Sequence, residues 1–300
     1  MGRQDLASAF SEEELRAFMK AILADVHALE RMINEERFET GISRIGAEQE
    51  MFLLDRSGRA WNGASQMMQA LNHKQFTYEL AQFNLEANLE PRVFGGKCLS
   101  AMEAELCDLL QLARKPAAEL GGGIVLCGIL PTLRRSDLSL DCMVQNPRYL
   151  ALNDAMSRLR GGEYQFRING VDELEMTHDN VMLESCNASF QVHFQVAPQD
   201  FAKLYNTAQA ITAPVLAAST NSPVLLGRRL WRETRVALFQ QSVDSRSAAH
   251  QLRGRRPRVS FGDGWVRDSV LEIFREDIAR FRVMLASDLD EDPEALLDRG

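Results

Sequence analysis

The chain has 300 residues, enough for one large domain or two small ones with ample material for a core. Hydrophobic content of 45% and charged content of 25% are those of an ordinary soluble globular protein. A formal net charge of −8 argues against a nucleic-acid partner, which would require a basic surface.

In chain order, Ser11 precedes three glutamates and an apolar-periodic stretch (Leu15, Phe18, Met19, Ile22, Val26, Leu29), which predicts an N-capped amphipathic helix ending near Glu35. The residues before it carry acids and lack an apolar run, so no signal peptide is expected. A strand is predicted over Ile45–Leu54 (IGAEQEMFLL), followed by a turn at Asp55–Gly58 and a short helix over Ser65–Leu71. A second strand follows at Gln82–Pro91 (QFNLEANLEP). Ser100–Leu120 has a helical period and ends at Gly121–Gly123, and Ile124–Leu130 reads as a buried strand. Asn146–Leu159 is helical, stopped by Gly161–Gly162. A third strand at Asn187–Val196 (NASFQVHFQV) leads into a helix over Pro198–Ala218. Asn221–Gly227 is a loop, Arg253–Arg258 (RGRRPR) a basic loop, and Asp268–Ala286 a last helix.

The longest uncharged run, Leu204–Gly227, is broken by Asn206, Pro214, Asn221 and Pro223, so a buried helix feeding a loop is expected and no membrane partner. Five scattered cysteines (Cys98, Cys107, Cys127, Cys142, Cys186) without CxxC spacing predict reduced thiols and a cytoplasmic location, with Cys186 serving packing. The pair His178–Asp179 has no matching partner pair and reads as a loop or surface turn within Asp172–Asn180. Neither a Walker loop, a dinucleotide fingerprint nor a nucleophile triad is visible.

The three strands carry the functional signal. Residues two apart in a strand share a face. Glu48 and Glu50 therefore project together, as do Asn84, Glu86, Asn88 and Glu90, and likewise Ser189, Gln191, His193 and Gln195. Phe190, Val192, Phe194 and Val196 are expected to point oppositely, into a core. Like charges gathered on one sheet face repel, so stability does not explain them. Hard divalent cations carrying ATP phosphates would. Because the strands alternate without strict βαβ order, the expected fold is α+β: a mostly antiparallel sheet with a polar face and helices packed on the other.

These segments resemble the glutamate–cysteine ligase family, carboxylate–amine ligases sharing the glutamine-synthetase-like catalytic sheet. The matching pieces are Gly46–Glu50, Gln82–Pro91, Leu130–Pro131, Arg148–Tyr149, Ser189–His193, Asn221–Ser222–Pro223, Gly227, Arg235 and Arg246. The resemblance implies an ATP- and Mg2+-dependent (or Mn2+-dependent) ligase. It would join an amine to a carboxylate through an acyl-phosphate, with an amino-acid or other small carboxylate substrate. It places Glu48, Glu50, Glu86, Glu90 and His193 as metal ligands, with Asn84 as the alternative to Glu86. Gln191, Arg148, Asn221 and Arg246 become nucleotide contacts. Arg235, with Glu50, becomes catalytic, neutralising the carboxylate or the phosphoryl group in flight; phosphoryl transfer is chiefly positioning by cations.

Two departures stand out. Relatives continue into a strand with another metal-binding glutamate and an arginine, whereas this sequence ends at Asp298–Arg299–Gly300. The stretch from Asn221–Pro223 to Arg235 is one residue shorter than in typical relatives. The expected organisation is thus an N-terminal helix over 1–40 and a ligase-like domain over 41–300 that is incomplete at its C-terminus, with a further C-terminal domain and homo-oligomers left open. The rival readings are a non-catalytic nucleotide- or amino-acid-binding module and a guanidino-kinase-like phosphotransferase on the same sheet.

Overall fold

The computed structural model describes residues 11–254, 256–281, 283–285 and 292–299. Helix α1 (Glu12–Asn34) starts with a reciprocal cap: the Ser11 hydroxyl accepts from the Glu14 amide and the Glu14 carboxylate from the Ser11 amide. The twelve-residue β1 (Arg44–Asp55) follows, then α2 (Ala64–Leu71), β2 (Phe76–Tyr78), β3 (Asn84–Asn88) and β4 (Arg92–Val93). After these come α3 (Cys98–Glu119), β5 (Gly122–Val125), α4 (Pro147–Arg160) and the hairpin of β6 (Tyr164–Asn169) and β7 (Glu173–His178). The described chain closes with β8 (Phe190–Phe194), α5 (Phe201–Ala218), β9 (Val224–Leu225), β10 (Arg228–Arg229), α6 (Arg235–Ser242), α7 (Ala248–Leu252), α8 (Leu271–Arg280) and α9 (Pro293–Arg299).

The organising element is β1, and every strand pair is antiparallel. Along one side β1 pairs with β3 and then β4; along the other, its first half pairs with β8 and its last residues with β5. Strand β2 extends the sheet beyond β3. The expected α+β class with an antiparallel sheet is what is found.

Alternation along β1 decides the two faces. Ile45, Ala47, Met51 and Leu53 join Leu85, Ala87 and Leu89 in a core roofed by Met67 and Leu71 of α2 and by Met102, Leu109, Leu110 and Ala113 of α3. The other face is divided. Phe52, in the second half of β1, seals a second core with Phe83, Ile129, Met143, Phe166, Ile168 and Met182. The first half of β1 offers Glu48 and Glu50 on that face instead. The polar patch lies beside the second core and lines a cavity, forming a bowl.

Several predicted elements shift. The strand expected over Ile124–Leu130 is paired only at Gly122–Val125, with Ile129 making an isolated bridge to Asn187. Asp172–Asn180 is largely strand: β6 and β7 pair over six positions, and His178 sits buried beside Tyr164. The face of β8 expected in a core lies open, with Phe190, Val192 and Phe194 exposed by 47%, 45% and 55%. The reason is positional, since β8 pairs with β1 alone, beyond the reach of α3. Helix α5 has no buried residue, so the expected buried helix is a surface one. Arg255 and Ala286, ends or members of two predicted segments, lie outside the described residues. No helix among the described residues is long and apolar enough to cross a membrane. All five cysteines are free, and burial pushes the thiols of Cys127 and Cys186 upward, away from reactivity.

Candidate functional site

The registers of β1 with β3 and β8 set the site. Glu50 stands opposite Glu86, and Glu48 stands between Asn88 on one side and Gln191 on the other. His193 lies opposite Gly46, and its Nε2 is 3.5 Å from a Glu48 carboxylate oxygen. These six side chains share the face opposite α2 and α3, as strand alternation predicts.

Each carboxylate is aimed by a local bond. The Ser189 amide donates to Glu50 Oε2 at 2.7 Å, and Gln191 Nε2 donates to Oε1 at 3.1 Å. Thr77 Oγ1 and Asn88 Nδ2 both donate to Glu86 Oε1, at 2.9 and 2.8 Å. Glu79, one residue past the end of β2, completes the group: oxygens of Glu50, Glu79 and Glu86 all lie within 4.8 Å of one another. Glu184, in the 3-10 turn Val181–Cys186, adds its negative field to Glu50 and Glu79.

Crowding and burial shift these groups. Desolvation, then the charges of Glu50, Glu86 and Glu184, push the Glu79 carboxyl up to about 9. Desolvation together with Glu50 takes Glu184 to about 7. Glu50 is raised by desolvation and by Glu86, against the lowering effect of the Ser189 amide. Uncompensated carboxylates in a half-buried bowl hold protons that a cation would displace. The donor set is oxygen-rich with one imidazole at its edge, a chemistry suited to hard divalent ions.

The bowl opens into a cavity of about 420 Å3 lined by Glu48, Glu79, Glu86, Asn88, Arg148 and Tyr149, among others. Arg148 lies in the first turn of α4, which Asn146 caps by accepting the Arg148 amide at 2.9 Å. The Tyr149 hydroxyl donates to the Tyr78 carbonyl at 3.2 Å, and burial beside Glu79 raises it to about 12, so it stays a neutral donor.

The predicted residues divide into two groups. Glu48, Glu50, Glu86, Gln191 and His193 converge, and Arg148 faces the same cavity. Glu90 does not join them. Between the pairs Glu48–Asn88 and Ile45–Arg92, Gly46 and Ala47 of β1 face three residues, Leu89, Glu90 and Pro91, so a bulge breaks the alternation. The Glu90 carboxylate instead binds Lys74 at 2.7 Å, and its amide donates to Glu105 on α3. Asn84 is buried on β3 opposite Phe52, on the same face two residues before Glu86, and the carboxylate group itself contains Glu86.

Arg235 touches the site through the backbone. It pairs with Glu233 and donates Nη1 to the Ala188 carbonyl at 2.9 Å, one residue before the Ser189 amide that holds Glu50. Asn221 donates its amide to the same Glu233 at 3.0 Å. Arg246 pairs with Asp244 at 2.6 Å and lines a different cavity, beside Arg158 and His250.

Neither Glu79 nor Glu184 was among the residues the sequence assigned to the site. The alternation Phe76–Thr77–Tyr78–Glu79, with aromatic residues at one parity and polar ones at the other, was the available signal for the first. Glu184 arrives through a 3-10 turn, which no simple periodicity announces.

The chain is therefore an α+β protein whose antiparallel sheet gathers carboxylates on one face. Residues 44–252 match the model of glutamate-cysteine ligase family 2 (GCS2), and the chain belongs to that family. A comparison with curated proteins returned no match. Family membership implies a ligase-type enzyme of the glutamate–cysteine ligase kind.

Proposed function

We propose that the acidic bowl holds Mg2+ or Mn2+ beneath the phosphates of ATP and that the enzyme forms an amide from a small carboxylate, of the amino-acid type, and an amine. The observation that carries this reading is the trio Glu50, Glu79 and Glu86, whose carboxylate oxygens lie within 4.8 Å of one another. Divalent cations there would neutralise the polyphosphate; the substrate carboxylate oxygen would take the γ-phosphoryl group with ADP leaving, and the amine nitrogen would then attack the acyl carbon, expelling phosphate and losing a proton.

The chain's own residues do the rest. Glu50, Glu79 and Glu86 are the ligands, with Glu48 and His193 at the outer edge. Gln191 and the Ser189 amide keep Glu50 oriented, and Thr77 and Asn88 do so for Glu86. Arg148 supplies the cation on the cavity wall, where its fork suits a carboxylate or phosphate. Arg235 acts one step back, bracing Ala188 and hence the Ser189 amide.

Amino-acid-dependent release of ADP tests the proposal, with product mass as the second readout. An amide product, absent in Glu50→Gln, supports it. A stable phosphorylated product would instead place the enzyme with the phosphotransferases. Nucleotide binding without turnover would make it a binding module.

A further inference from the structure

A second cleft lies beyond the C-terminal end of β1, on the far side of the core that Phe52 seals. Its volume is about 960 Å3, within the range of small-molecule sites, and it shares no lining residue with the acidic cavity. Arg59, Arg134, Arg135 and Arg228 line it. They come from three separate segments: the turn after β1, the loop after β5 and the start of β10. Glu173 and Glu175 also line the cleft, so four arginines against two glutamates leave a formal charge of +2 in a chain of net charge −8.

The nearby acids are committed elsewhere. Asp55 accepts from the amides of Ser57 and Arg59. Asp137 accepts from the Arg134 amide, and Asp172 pairs with Arg229 at 3.0 Å. Glu173 and Glu175 both lie against Arg167. Among the described residues, none of the four guanidiniums makes an ion pair within 4.0 Å, although Arg59 lowers Asp55 and Arg228 lowers Asp172 by charge at longer range.

The segments are fixed rather than loose. The Thr132 hydroxyl donates to the Gly58 carbonyl at 2.6 Å, tying the loop after β5 to the turn after β1. Leu133 is buried in the core next to the two arginines that follow it. Across the cleft, Leu226 and Gly227 both adopt positive φ, 48° and 76°, in the two-residue turn joining β9 to β10. Leu226 accepts that strain while packed against the core, and Arg228 follows directly.

The available donors decide the ligand. The hydroxyls of Ser57 and Thr132 already donate within the fold, which leaves guanidinium forks as the recognition groups. Four such forks around one cavity match the charge and bidentate geometry of linked phosphates. Glu173 and Glu175 line one wall of the same cleft, which favours a compact anion held by the arginines over an extended one. We propose that this cleft is a binding site for a compact phosphorylated small molecule bearing a pyrophosphate or two nearby phosphates, separate from the acidic bowl.

The test is calorimetric titration of the full chain with inorganic pyrophosphate in EDTA, so that cations in the acidic bowl play no part. Saturable one-site binding is expected. It should weaken about tenfold or more in the double variant Arg134→Ser/Arg228→Ser and persist in Glu50→Gln. Both arginines are exposed, so the double variant should melt as the parent does. Citrate, similar in charge but different in shape, should bind about tenfold more weakly. Pyrophosphate binding unchanged in the double variant, lost in Glu50→Gln, or equalled by citrate would overturn the assignment. The proposal on the acidic bowl survives any of these outcomes, because amide formation is read separately.

Discussion

Replacing Glu79 by glutamine should stabilise the cation-free protein, and increasingly so as pH rises. Three carboxylates within 4.8 Å repel by about 3.5 kcal/mol per ionised pair at an effective dielectric near 20. The native state avoids this by keeping a proton on Glu79, whose carboxyl is raised to about 9 by burial and by its acidic neighbours. An unfolded glutamate would release that proton near 4.5. Between those values the native state binds more protons than the unfolded one, so stability is full below about pH 4.5 and is lost as pH rises toward 9. At pH 8 the simple linkage is about 1.4 kcal/mol for each of roughly 3.5 units, near 5 kcal/mol. Coupling and water penetration reduce this to about 2–3 kcal/mol. At pH 5 it is under about 1 kcal/mol. Urea unfolding in EDTA at the two pH values, parent against Glu79→Gln, measures it. A variant equally or less stable at pH 8, or a gain that does not change with pH, would refute the reasoning.

Cation binding carries the reciprocal signature: Mg2+ titrated at pH 8 in buffers of different ionisation enthalpy should release about one proton from the Glu79–Glu184 group, and no release would contradict the shared-proton picture. Phe83→Ala, at a fully buried position, should cost about 3–5 kcal/mol, whereas Phe190→Ala on the open face of β8 should cost below about 1.5 kcal/mol; chemical denaturation ranks them, and the reverse order would mean that β8 is covered. Gly122→Ala should destabilise by about 1–3 kcal/mol, because an added Cβ would fall 2.4 Å from the Leu54 carbonyl oxygen across the β1–β5 pairing; an unchanged melting temperature would show that this edge yields.

Local rules made much of the fold legible. The Ser11 cap, the glycine stop at Gly161 with φ 83° and the period of α3 each depend on neighbours in sequence, and each appears within a few residues of its predicted bounds. The acidic faces of β1 and β3 and the Gln191–His193 face of β8 follow from two-residue alternation alone. Glu90 escaped because a bulge is a property of two paired strands, visible only once Ile45 is seen opposite Arg92. Phe190, Val192 and Phe194 misled because an apolar alternation announces a face but not what covers it. The hairpin of β6 and β7 was hidden by its charged outward residues (Arg167, Glu173, Glu175), which read as loop until paired. Arg235 was singled out from the sequence, but its grip on Ala188 and Glu233 arises from tertiary contacts that spacing does not encode.

The central claim is that Glu50, Glu79 and Glu86 jointly hold a divalent cation. Anomalous diffraction from crystals of the full chain grown with Mn2+ and an ATP analogue tests it most directly. The expected result is a manganese peak about 2.2 Å from oxygens of all three glutamates, lost in Glu50→Gln. A peak held by other residues, or none at saturating Mn2+ while the three carboxylates remain together, would contradict the account.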